Sequence, residues 1–183
     1  FSLKINFFFP IIPIIRNQMQ WNNKYIYPKS TRSIFQGSRH YSVNQENLPS
    51  VTTILKATES EEKKAKLEEW KKRVGYKQAE VISREATSRG SSMHDYLEKF
   101  LLGKLNMDLL GDNTREKMMA DQIIENGLRD KLSEIWGCEA TLYYPGKYAG
   151  AADCIGIYEN KETIIDFKQS NKPKKDEWID DYY

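Results

Sequence analysis

Apolar residues recur at helical spacing through the middle of the chain. Residues 77–102 predict one long helix that contains Gly90. Glycine costs about 1 kcal/mol relative to alanine inside a helix, so Gly90 indicates close packing against another group. A further helix is predicted over residues 113–135. The apolar positions of the first helix are Ile82, Ala86, Met93, Leu97 and Leu101. Those of the second helix are Met119, Ile123, Ile124, Leu128, Leu132 and Ile135.

The residues before the long helix predict a hairpin and two shorter helices. Residues 24–43 carry β-branched and aromatic residues on both sides of a Gln-Gly-Ser turn signal at 36–38. Ser50 can cap a short helix that begins after it. Thr58 and Glu61 fit a capping box for a charged helix, which a glycine ends. We expect the Glu–Lys pairs of that helix to face solvent.

After Gly137 the pattern changes to strands. Three strands are predicted, "CEATLYY", "KYAGAADCIGIY" and "ETIIDFKQS", with tight turns at Pro145-Gly146 and Glu159-Asn160. Helices followed by a strand meander predict an α+β layer architecture and not a doubly wound sheet.

Composition narrows the function very little. The 28 basic and 26 acidic residues give a net charge of +2, so a nucleic-acid-binding face would have to be local. Two cysteines, Cys138 and Cys154, are too few for a disulfide framework. We therefore expect both to be reduced thiols of the core.

The first 18 residues are apolar but interrupted by lysine, asparagine and two prolines. The run is shorter than the ~20 residues of a membrane helix and has no small-residue cleavage site. We expect Met19 to be the true start and residues 1–18 to be a non-native or disordered upstream segment. The alternatives are a real anchor or signal, or an ordinary buried segment.

The last predicted hairpin brings three charged side chains onto one face. If Glu159-Asn160 is the turn, Asp153 lies opposite Asp166, and a turn one residue later places Asp153 opposite Lys168. Two carboxylates this close favour a cation between them, and oxygen ligands suit Mg²⁺ or Mn²⁺. Such an ion could activate water for attack on a phosphoryl group, with Lys168 assisting. A salt-bridged ladder is the alternative interpretation.

Two more groups are candidates for the same site. His94 lies on the long helix in "GSSMHDYLEKFL", with Glu98 one turn later on the same face. Glu139 opens the first strand of the meander. The simpler interpretations are a surface or core histidine and an exposed strand carboxylate.

Six stretches, in this order, resemble the PD-(D/E)xK nucleases of the RecB-like branch. They are "LPSVTTIL", "LEEWKKR", "GSSMH", "GCEATLYY", "YAGAADCIGIY" and "TIIDFKQS". Within the branch they resemble the mitochondrial genome maintenance exonuclease and its microbial and phage relatives. The resemblance covers roughly residues 48–183. It implies a restriction-endonuclease-like core, a small mixed sheet flanked by helices, over residues 49–183, after an N-terminal hairpin at 19–48.

The resemblance also implies roles for single residues. Asp153 and Asp166 match the metal-binding carboxylates, and Lys168 matches the catalytic lysine. His94 matches a helical histidine of the metal site, and the Phe167 carbonyl would be a main-chain ligand. Two further residues are possible members of the site: Glu139, which matches a recurrent strand glutamate, and Glu98. The candidate substrate-binding residues are Gln169 and Ser170, where the family often has Thr-Ser.

The activity implied by the resemblance is metal-dependent DNA exonuclease. The chain would hydrolyse phosphodiester bonds at single-stranded DNA ends in replication, repair or recombination, with Mg²⁺ or Mn²⁺. No iron–sulfur cluster is expected, because no cysteine precedes His94. The family's helix with a Gln and a Tyr would begin near Trp178, so we expect the domain to be incomplete at its C-terminus.

Three further expectations concern the setting of the protein. We expect a monomer that does not bind membranes. We expect it inside the cell, in a compartment that the sequence does not identify, with a microbial or phage-infected cytoplasm favoured. A mitochondrial address is not supported, because residues 1–18 lack its Arg-rich, amphipathic character. The alternative functions are a non-cleaving module that binds DNA ends and a structural α+β domain with an ion-paired hairpin.

Overall fold

The computed structural model describes residues 19–105 and 114–170, which form two sheets and four α-helices. The strands are β1 (Gln20–Trp21), β2 (Ser30–Phe35), β3 (Ser38–Val43), β4 (Glu46–Pro49), β5 (Leu132–Tyr144), β6 (Tyr148–Tyr158) and β7 (Lys161–Ile165). The helices are α1 (Val51–Ala57), α2 (Glu61–Val74), α3 (Tyr76–Leu101) and α4 (Arg115–Ile123). This arrangement confirms the α+β architecture.

The predicted N-terminal hairpin is present as β2 and β3. Its turn residues Gln36 and Gly37 have φ of 49° and 74°, the left-handed values that a two-residue hairpin turn of type I′ requires. β4 pairs with β3 as a third strand, which the sequence patterns did not predict. The three strands form a separate antiparallel sheet, here called the N-terminal sheet.

The caps of the short helices agree with the prediction at α1 and not at α2. Ser50 caps α1, where its side chain accepts a hydrogen bond from the Thr53 amide at 3.0 Å. The predicted cap Thr58 is wrong for α2, because Thr58 instead ends α1 and donates to the Ile54 carbonyl. Ser60 caps α2, since it carries an equivalent hydroxyl directly before the first helical residue.

The long helix α3 confirms its prediction, and the next helix is shorter than predicted. α4 continues as one π-helical stretch, Ile124–Leu128, and the chain then turns through Asp130, whose φ is 64°. Leu132 and Ile135, assigned by their spacing to the helix, lie buried in β5. The helical interpretation was wrong there because pairing with β6 decides the conformation of these residues.

The larger sheet has the order β1-β5-β6-β7, with β1 parallel to β5 and the other pairs antiparallel. Glu159 and Asn160 form the last turn, with φ of 48° and 63°, and Tyr158 pairs with Lys161. This is the first of the two predicted registers. The predicted strand to Ser170 is too long, because β7 ends at Ile165 and residues 166–170 have no regular secondary structure.

The main core lies between α3, α4 and the larger sheet. Its buried side chains are Met93, Leu97, Leu101, Ala120, Ile124, Leu128, Leu132, Ile135, Cys154 and Phe167. Phe167 matters most for function, because burying its ring holds its neighbours Asp166 and Lys168 at the end of β7. The N-terminal sheet packs on β6 through a second cluster, in which Ala149 is fully buried.

Both cysteines are free thiols, as predicted. Cys154 is buried and Cys138 packs against the main core. Burial, with a smaller effect of nearby negative charge, raises the pKa of both thiols to about 12. None of the helices in residues 19–105 and 114–170 combines the length and the apolar character needed to cross a bilayer.

Candidate active site

Three side chains from three elements meet at the centre of the site. His94 of α3, Glu139 of β5 and Asp153 of β6 each offer one ligand atom, and these atoms all lie within 4.8 Å of one another. Ligands of a six-coordinate cation lie roughly 3 Å apart when adjacent and roughly 4.2 Å apart when opposite, so side-chain movements of about 1 Å would bring the three atoms around one ion. We call this group the His-Glu-Asp cluster.

Strand pairing explains why Glu139 and Asp153 face each other. The pairs Cys138–Cys154 and Ala140–Ala152 flank them on both sides. Glu139 has a φ of 48°, which is uncommon outside glycine. Such strained residues cluster at functional sites, where the surrounding structure holds them in place.

The electrostatics of Glu139 are unfavourable for a charged carboxylate. Burial raises its pKa first, and the negative charges of Asp153 and Glu98 raise it further. Glu98 lies one turn after His94 on α3 and lines the same cleft, as the sequence predicted. A site that crowds acids in this way favours a bound cation.

His94 and Asp153 form the tightest pair in the cluster. The His94 Nδ1 lies 3.4 Å from one Asp153 oxygen, and the Phe167 amide donates to the other oxygen at 2.6 Å. The hydrogen bond to Asp153 raises the pKa of His94. Burial alone would raise the pKa of Asp153, but the hydrogen bonds from His94 and the Phe167 amide lower it overall. Without a metal, therefore, the pair favours imidazolium and carboxylate.

Asp166 and Lys168 form a separate ion pair beside the cluster. The Lys168 ammonium lies 2.8 Å from both carboxylate oxygens of Asp166, and both side chains are about half exposed. Asp166 follows the last residue of β7, so it occupies the register position opposite Asp153. The structure thus places the predicted acids and the lysine in one cleft, but it groups Glu139, and not Asp166, with His94 and Asp153.

The cleft around these groups has a volume of about 1040 Å³ and is walled on one side by the N-terminal sheet. Arg32 and Arg39 of that sheet line it, together with Ser50 and Thr52 at the start of α1. Sequence reasoning missed both arginines. The only signal for them was the alternation of side chains along a strand. Arg32 of β2 pairs with Tyr41 of β3, and Arg39 lies two residues before Tyr41, so all three side chains lie on the same face of the N-terminal sheet.

The two candidate substrate-binding residues point in different directions. Ser170 lines the cleft. The Gln169 side chain donates to the Ala86 carbonyl of α3. It passes over Gly90, where a Cβ atom would lie 3.4 Å from the Gln169 amide nitrogen. That contact is an ordinary one, and the Gln169 hydrogen bond ties the segment after β7 to the helix that carries His94.

No protein-family model matches the chain, but curated proteins do. It is 31% identical over 137 residues to "Mitochondrial genome maintenance exonuclease 1" of Mus musculus, a match that covers 72% of this chain and 40% of that protein. The proteins of the same name from Homo sapiens and Xenopus tropicalis are 29% and 31% identical, over 69% of this chain and 38% and 37% of theirs.

The chain therefore spans about two fifths of the length of the relatives it matches. The similarity supports a relationship to a nuclease family.

Proposed function

We propose that this chain carries the active site of a metal-dependent DNA exonuclease of the PD-(D/E)xK type. It would hydrolyse phosphodiester bonds at single-stranded DNA ends, in replication, repair or recombination. The observation that supports this most is the His-Glu-Asp cluster, with ligand atoms within 4.8 Å, beside the Asp166–Lys168 pair. The similarity to proteins named as exonucleases is independent support.

The residues of the cluster fit a divalent cation. One imidazole nitrogen and two carboxylate oxygens suit Mn²⁺ or Mg²⁺. The raised pKa of Glu139 reflects acids crowded together, and a cation would relieve this. Asp166 and the Phe167 carbonyl are the candidates for further ligands. Bound there, the ion would polarise the phosphodiester and make a water molecule more acidic.

The side chains of the chain would then position and stabilise the substrate. The Lys168 ammonium would neutralise negative charge that develops on the phosphoryl oxygens. Arg32 and Arg39 would bind backbone phosphates along the opposite wall. Asp153, held by the Phe167 amide, would keep the imidazole of His94 oriented.

A non-cleaving module that binds DNA ends is less well supported. Five carboxylates of the described residues line the cleft, and without a cation these would repel phosphates; they are Asp95, Glu98, Glu139, Asp153 and Asp166. A binder gains nothing from them, whereas a metal-dependent hydrolase requires them.

End-labelled single- and double-stranded DNA, incubated with the full chain in Mg²⁺ or Mn²⁺, tests the proposal. We expect metal-dependent cleavage, and a loss of at least about 100-fold in rate with Lys168→Ala or Asp166→Asn, the size of effect seen when one charge-stabilising group is removed. Lys77→Ala, at an exposed position near the start of α3, is the matched control. Wild-type cleavage by both site variants would refute the assignment. Salt-sensitive binding without a metal-dependent product would favour the binding module.

A further inference from the structure

Five exposed apolar side chains line one pocket next to the cleft. They are Val51, Leu142, Tyr144, Tyr148 and Ile164, each between 38% and 63% exposed. The pocket has a volume of about 400 Å³, within the range of small-ligand sites. Exposed apolar residues gathered in this way mark binding sites more often than apolar residues scattered singly.

The end of the larger sheet builds this pocket. Tyr144 and Tyr148 pair across the turn between β5 and β6, with ring centroids 6.0 Å apart and ring planes at 34°. Gly150, which has no side chain, and Ala152, which has only a methyl group, leave room in its lining. β7 ends opposite Cys154, so this part of β6 lies beyond the paired region of the last hairpin.

The pocket and the cleft are continuous. Val51, Gly150, Ala151 and Asp166 line both. The two spaces differ sharply in polarity. Arg32, Arg39, Lys168 and the His-Glu-Asp cluster line the cleft, whereas Asp166, at the shared edge, is the one charged residue among the described residues that line the pocket.

A nucleotide has the same division into a charged phosphate and a flat, uncharged base. We propose that the pocket binds a base of single-stranded DNA while the adjoining phosphate lies in the cleft, an inference that rests on the proposed nuclease function. Tyr144 and Tyr148 stack on the base, since aromatic rings bind single strands in this way without sequence preference. Lys147, with Nζ 4.7 Å from the centroid of the Tyr144 ring, places a cation at the outer rim for the next phosphate.

The assignment explains a preference for single strands. A base in a duplex is stacked and paired, so it cannot enter the tyrosine-lined pocket without being flipped out. A base at a single-stranded end is free to enter, with its phosphate beside Asp166 and Lys168. Double-stranded DNA therefore contacts the cleft but leaves the pocket empty.

The test measures binding of two probes in Mg²⁺, with the cleavage-deficient Lys168→Ala chain as background. The probes are a fluorescent oligo(dT) and an abasic strand of the same length and charge. We expect Tyr144→Ala and Tyr148→Ala each to weaken oligo(dT) binding about 5- to 150-fold, the range for loss of one stacked base, and to leave the abasic strand unaffected. The phenylalanine variants should bind normally, as should Tyr76→Ala, an exposed tyrosine at the start of α3.

The possible failures are distinguishable. Unchanged oligo(dT) binding by both alanine variants overturns the base pocket, while Mg²⁺-dependent cleavage by the wild type keeps the nuclease function. Loss of oligo(dT) binding in a chain that never cleaves DNA keeps the pocket and overturns the nuclease. A wild-type dimer that either alanine variant converts to a monomer would mean that a second copy covers the patch, and this overturns base binding.

Discussion

Replacing Glu139 with glutamine should have opposite effects with and without metal. The substitution keeps the size of the side chain and removes one negative charge from the His-Glu-Asp cluster. Its carboxylate and that of Asp153 lie within 4.8 Å. Two unit charges at that distance repel by about 3.5 kcal/mol at an effective dielectric constant of 20 and by about 0.9 kcal/mol at 80. Glu139 is exposed and solvent screens the repulsion, so we expect about 0.5–1 kcal/mol.

The sign follows from the raised pKa of Glu139. A carboxyl whose pKa is raised by folding destabilises the folded state as the pH rises above the ordinary value, about 4.3. Without metal at neutral pH, Glu139→Gln should therefore raise the unfolding temperature by about 1–4 °C for a chain of this size. Below pH 4 the gain should vanish, since Glu139 is then protonated in both the folded and the unfolded state.

With metal the effect reverses. Loss of a ligand should weaken Mn²⁺ binding by at least the 10- to 100-fold typical of supporting groups around a metal. At 100 times the wild-type Kd, Mn²⁺ stabilises the wild type by about 2.7 kcal/mol, and a 100-fold weaker variant by about 0.4 kcal/mol. Thermal unfolding over a Mn²⁺ titration, with calorimetric binding, measures both effects.

Glu80→Gln is the matched control for this experiment. Glu80 is an exposed glutamate on the same helix as His94, about 21 Å along the helix axis from it. The variant should match the wild type with and without Mn²⁺. A Glu139→Gln chain that binds Mn²⁺ as tightly as the wild type, or that is less stable without it, would refute the placement of Glu139 in the site.

Two further predictions test the supports of the site. Gly90→Ala should stabilise the chain by about 0.5–1 kcal/mol, since its Cβ makes only a 3.4 Å contact with the flexible Gln169 side chain. Gly156→Ala should destabilise the chain by several kcal/mol, because its Cβ would lie 1.9 Å from a backbone carbonyl of β5. Chemical denaturation of both variants measures the two free energies of unfolding, and equal effects would contradict the prediction. In EDTA, the pKa of His94 measured by NMR should exceed 6.5 and should fall in the Asp153→Asn variant. The stabilisation of the folded state by this ion pair should be complete below pH 6.5 and lost as the pH rises through the pKa of His94. An unchanged pKa of His94 in the variant would contradict the pairing.

Local sequence signals determined the hairpins and the long helix. The Gln36-Gly37 and Glu159-Asn160 turns could be predicted because few residues adopt the left-handed conformation that two-residue turns need. Turn length then sets the register, and this is why Asp153 could be placed opposite Asp166 from the sequence, as one of two alternatives. The apolar period of α3 runs from Ile82 to Leu101, about five turns, which is too long to arise easily in another structure.

Only the tertiary structure decided what lies where elements meet. The spacing of Leu128, Leu132 and Ile135 favours a continued helix, but pairing with β6 selects a strand from Leu132 onward. The N-terminal sheet carries Arg32 to the cleft, which no local pattern encodes. Glu139 joins His94 because packing holds its backbone in an unfavourable conformation. The sequence determined which groups could do the chemistry, and long-range packing, which depends on residues far apart in the chain, decided which of them meet.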